Sequence, residues 1–105
     1  MAWVYLGIAG LLEIVFAYGL KTAEGFTRLW PSVLTVVAAA ASLYLLSRSM
    51  RTIPIGTGYA VWTGIGAAGT AIVGMMVLGE SRSLPRLMSI ALILIGVIGL
   101  RVFAR

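Results

Sequence analysis

The sequence predicts an all-α integral membrane protein with four transmembrane helices in a single domain spanning 1–105. Three observations carry that prediction. The chain is 61% hydrophobic and only 10% charged, with a mean hydropathy of +1.07, whereas a soluble domain is usually about 25% charged. A core of ~100 residues cannot hide that much apolar surface from water, so lipid must be the solvent. The apolar residues fall into four runs of roughly 18 to 24 residues, each long enough to span a hydrocarbon core of ~30 Å as a helix. The connectors between them, "KTAEGFTR", "SRSMRTIP" and "GESRSLPR", carry turn chemistry and are too short to hold a second domain.

The first run covers about 2–20. It could pass for a signal peptide, but it has no basic leading segment and carries Glu13 within its apolar stretch, so a retained helix is expected. The second covers about 29–46, with Pro31 near its first turn, where a missing N–H costs little. The third, about 55–78, is glycine-rich, and the fourth covers about 84–103.

Composition also excludes function classes. Without cysteine, disulfides, zinc–thiolate sites and thiol catalysis are impossible. Without histidine, a Ser-His-Asp triad is impossible and the commonest metal ligand is missing. No metal site, no cofactor and no enzymatic activity are expected. The basic residues are spread between and beyond the apolar runs, which fits charges snorkelling to a membrane interface and not a nucleic-acid surface.

An even number of spans puts both termini on one side. That side would hold Arg48, Arg51, Arg101 and Arg105, and the other Lys21, Arg28, Arg82 and Arg86. Four against four gives the positive-inside rule nothing to act on. That balance predicts dual topology, with chance balance among so few charges as the alternative reading. No internal repeat relates the first pair of helices to the second. Two copies in opposite orientations would supply the inverted repeat on which many transporters alternate access.

Glu13 lies about eleven residues into the first span, near the bilayer midplane, where a charge costs ~2.5–3.5 kcal/mol on insertion scales. The other acids, Glu24 and Glu80, fall in connectors. An intramembrane carboxyl is by default an ion, proton or substrate site, and the alternative is a protonated glutamate bonded to another helix. On its own helix its neighbours are Ala9, Gly10, Phe16 and Ala17, three of them small. That leaves room for cargo, or equally for a closely packed helix.

In the third run Tyr59, Trp62 and Thr63 share a helical face, with Gly66 one turn on. An aromatic beside a carboxylate suits a cation, while Tyr59 can also be read as an interfacial belt residue. Gly64 and Gly66 permit a bend or a close helix approach. In the second run Ser42 adds a hydroxyl to an alanine groove, although such a serine often bonds back to its own helix. In the fourth, Ser89 and Gly96 are seven apart on one face, a seam for helix association and so for a dimer.

Together "EIVFAYGLK", "EGFTRLWPS", "IPIGTGYAVWTGIGA" and "IGVIGLR" resemble the small multidrug resistance family over nearly the whole chain. The resemblance implies an antiparallel homodimer in the inner (plasma) membrane of a prokaryotic cell, multi-pass, exchanging protons for small organic cations. It implies that Glu13 couples proton to substrate and that Tyr59, Trp62 and Ser42 bind substrate; from their helical faces Ala9 and Phe16 are expected to bind substrate too, with Gly10 and Thr63 supporting the pocket. Protons are the coupling ion. "YAVWTGIGA" and Ala39 are most similar to the guanidinium-exporting branch. Phe16 stands where that branch typically has tryptophan, and "FTRLWPS" resembles the quaternary-ammonium exporters, which keeps a broader drug-exporting function as the alternative. An oligomeric cation channel is the alternative of another class. It would pass cations at a rate indifferent to protons.

Overall fold

The computed structural model describes residues 1–103, so Arg105 in the charge count lies outside the described residues. The fold is four helices in sequence: α1 (Ala2–Thr22), α2 (Leu29–Ser49), α3 (Ile55–Val77) and α4 (Leu84–Val102). Each is long and apolar enough to cross a membrane.

The helix ends follow backbone chemistry more than polarity. α1 runs two residues past the apolar run and α2 three, while α3 and α4 each stop one residue earlier than expected. The extension of α2 takes in Ser47, Arg48 and Ser49. Ser49 donates to the Leu46 carbonyl at 2.7 Å, and Arg48 folds back to Tyr44 Oη at 2.9 Å. Such residues stay helical because their polar ends satisfy themselves locally or reach the interface. Pro31 sits in the first turn of α2 and Pro85 in that of α4, where the missing N–H would be unpaired anyway. After α3 the chain turns at Gly79, which has φ +69°. That left-handed conformation is open to glycine at little cost, and it brings the Glu80 N–H back to the Gly74 carbonyl at 3.0 Å.

α1 packs mainly against α2 and then α3, whereas the backbone of α4 lies against α3 alone. One core cluster joins Leu6, Ala9, Leu46, Ile53 and Val61, and a smaller one joins Ala68, Met75 and Ile90. Small residues set the helix spacing. A Cβ at Gly10 would lie 2.7 Å from Ile65, and one at Gly64 would lie 2.5 Å from Val97. α3 is helical without interruption through Gly64 and Gly66, and at both positions the glycine admits a neighbouring side chain.

The chain forms a slab of 43 × 34 × 17 Å. Its helices pack chiefly in the row α2, α1, α3, α4, which makes the third dimension the thin one. Ile90 is the one buried residue of α4. Leu92, Ile95 and Ile98 on that helix are exposed, as are Ser89 and Gly96. Ser89 donates to the carbonyl of Pro85 on its own helix at 2.8 Å, and nothing within the protomer comes within 4 Å of a Cβ at Gly96.

Candidate functional site

The close approach of α1 to α3 creates the site. Gly66 faces Glu13, and a Cβ at position 66 would lie 2.6 Å from Glu13 Cγ. The glutamate therefore rests on bare α3 backbone. Its carboxyl lines a cavity of about 690 Å³ between the helices and makes no hydrogen bond or ion pair among the described residues. The carboxyl is presented to open space.

Phe16, Tyr59, Trp62, Thr63 and Gly66 all reach the cavity, together with Ala17, Ala67 and Thr70. The two large rings of α3 pack on each other, with centroids 5.4 Å apart and planes at 52°. Tilted pairs of this kind are favoured by the ring quadrupoles. Trp62 is fixed from behind as well. Its Nε1–H donates to Ser42 Oγ at 2.9 Å, and Ser42 Oγ donates to the Ala9 carbonyl at 2.8 Å. One hydroxyl can accept and donate at once, so Ser42 links all three inner helices.

That arrangement changes the parts of two expected substrate contacts. Ala9 and Ser42 are buried, at 0% and 1% exposure, and neither forms part of the cavity wall. Ser42 bonds across to α1 instead of back to its own helix, and it orients Trp62 from the second row. Gly10 is also behind the wall, where it lets α1 approach Ile65. Gly64 meets α4 and takes no part in the cavity.

The cavity extends further along α3 than expected from sequence, past Thr70 and Gly74 to Leu78, Glu80 and Arg86, with Lys21 also at that end. Thr70 and Gly74 continue the face of Tyr59, Thr63 and Gly66 at helical spacing, a signal present in the sequence. Glu80 is brought in by the turn at Gly79 and pairs with Arg86, whose Nη2 lies 2.7 Å from Oε1.

Four membrane-length helices with the Glu13 carboxyl at mid-span in an aromatic-walled cavity have the make-up of a small membrane carrier. The sequence profile described as Small Multidrug Resistance protein matches residues 1–93, and the chain belongs to that family. It is a multi-pass protein of the inner membrane. It is 60% identical over 101 residues to a guanidinium exporter of Yersinia pseudotuberculosis, a match covering 96% of this chain and 97% of the relative. A guanidinium exporter of Citrobacter freundii is 58% identical, with 96% of each chain covered. One from Salmonella typhimurium strain LT2 is 56% identical over 104 residues, with 99% of each covered.

Proposed function

We propose that this chain is a proton-coupled antiporter that exports guanidinium and related guanidinyl cations, working as an antiparallel homodimer. The observation that carries the reading is Glu13, an unpaired carboxyl facing a cavity walled by Tyr59 and Trp62. A planar cation with several N–H donors matches a carboxylate flanked by ring faces. The guanidinium exporters to which the chain is similar fit that chemistry.

The mechanism is competition. Protons and cargo share the Glu13 carboxyls of the two protomers, so the pair holds one or the other and titrates as a unit. Cargo from the cytoplasm displaces protons, the loaded dimer reorients, and protons from outside expel the cargo. Coupling follows because the cation has affinity only for the deprotonated form.

Dimerisation is supported by the slab's thickness and by the uncovered apolar face of α4. The even distribution of basic residues supports opposite orientations. The experiment is reconstitution in proteoliposomes, with proton-driven flux of guanidinium, methylguanidinium and tetramethylammonium measured side by side. Guanidinium is expected to move fastest. Flux that ignores an imposed proton gradient would favour a channel, and preference for tetramethylammonium would move the chain to the drug-exporting branch.

A further inference from the structure

The groove that holds Glu13 also holds a second carboxylate, at one end. Glu80 lines the same cavity, and it is seated as Glu13 is, on a glycine of α3. A Cβ at Gly74 would lie 2.5 Å from Glu80 Oε1, much as one at Gly66 would crowd Glu13. The two seats are eight residues apart on one helix, hence about 12 Å apart along its axis. Glu80 is held there by its own backbone, through the left-handed Gly79 and the bond from its N–H to the Gly74 carbonyl.

Its present partner has the chemistry of the cargo. Arg86 is a guanidinium on a tether, and its hold is one-pronged. Nη2 reaches Oε1, while Nε is buried and has no acceptor among the described residues. A free guanidinium can set two parallel N–H groups against both carboxylate oxygens, the stronger geometry. Arg82, in the connector before α4, does not compete, because its Nη2 donates to the Met75 carbonyl at 3.1 Å.

We propose that Glu80 is an outer cation station on the route to Glu13, occupied by the Arg86 side chain until a guanidinium ion displaces it. The station rests on the guanidinium reading given above and adds to it a residue that acts on capture and not on proton exchange. Cargo would meet Glu80 at the mouth, exchange with the Arg86 side chain there, and then pass along the Thr70 and Ala67 wall to Glu13. In an antiparallel pair each side of the membrane would have one such mouth.

The test uses the full chain in proteoliposomes, with initial rates of proton-driven guanidinium uptake measured against guanidinium concentration at low and at high salt. Glu80→Gln is expected to raise KM at low salt by roughly two- to fivefold, the scale of a partly exposed charge pair, with the maximal rate retained. High salt should erase the difference. Arg86→Gln should shift KM the other way, because the internal competitor is gone. A purely structural ion pair would instead move both variants in the same direction, and that result overturns the station, as does an unchanged KM in Glu80→Gln. Should that variant fail to reconstitute, Arg86→Gln decides alone, and a KM equal to or above wild type rejects the proposal. A wild type that carries no guanidinium overturns the transport reading, and the station with it. Wild-type flux with unmoved KM values overturns the station only.

Discussion

Replacing Glu13 by glutamine keeps the side chain's volume on Gly66 and removes its exchangeable proton. Proton-driven guanidinium flux is expected to vanish in Glu13→Gln while the protein still purifies as a folded dimer. Flux that survived would remove Glu13 from the mechanism. Selectivity is expected to rest with the residues around it. Phe16 lines the cavity one turn from Glu13 and offers only a ring. A tryptophan there could donate one hydrogen bond, and Phe16→Trp is expected to sharpen discrimination against tetramethylammonium by ~1–2 kcal/mol, the worth of one recovered bond. The quantity to compare is the ratio of transport efficiencies for the two cations, and an unchanged ratio would take position 16 out of selectivity. Ser42→Ala acts from behind. It leaves the Trp62 indole N–H unpaired in a part-buried place, a cost of about 1 kcal/mol. A lowered thermal midpoint, together with weaker discrimination, would distinguish an orienting residue from an inert one.

Between elements, two glycines make opposite predictions. Gly64 touches Val97 across the α3–α4 contact, whereas Gly96 faces away from its own protomer. Gly64→Val should therefore overpack the protomer, destabilising it by ~1–3 kcal/mol. Gly96→Val should leave the protomer intact and weaken association. Thermal unfolding read beside chemical crosslinking separates the two, and a crosslinked Gly96→Val dimer at wild-type yield would put the seam elsewhere. The helices themselves were legible because lipid tolerates only long apolar runs, so their existence is written in composition. Their ends were not, because Ser47 to Ser49 remain helical through local bonds that hydropathy does not register. Glu13, Tyr59, Trp62 and Thr63 were legible as one site because a lone carboxyl stands out in lipid and helical spacing groups the rest. Whether Ser42 touches cargo or holds Trp62 depends on which helix lies beside it, and spacing within one helix does not carry that. Glu80 and Arg86 read as ordinary connector charges, since only the turn at Gly79 brings them to the groove.

For the whole molecule, orientation is the open variable. The chain has no native cysteine, so a single cysteine on a tagged terminus can be labelled in intact cells without background. Labelling is expected from both sides of the membrane. Labelling from one side alone would reject a dual-topology homodimer. Lysines added between α2 and α3 should bias insertion and lower activity, and an opposite-facing partner should restore it.

The bond between Trp62 and Ser42 has an optical corollary. The chain contains three tryptophans. Trp30 is 77% exposed, and Trp3 lies under the Arg101 guanidinium, 4.8 Å from its ring centre. Trp62 alone borders the cavity that holds Glu13. With Trp3 and Trp30 changed to phenylalanine, the remaining fluorophore would sit beside the bound cation with its nitrogen edge held fixed. A charge arriving over such a ring shifts the energy of its excited state, so emission from this one indole would follow occupancy and exchange in real time, without any attached dye.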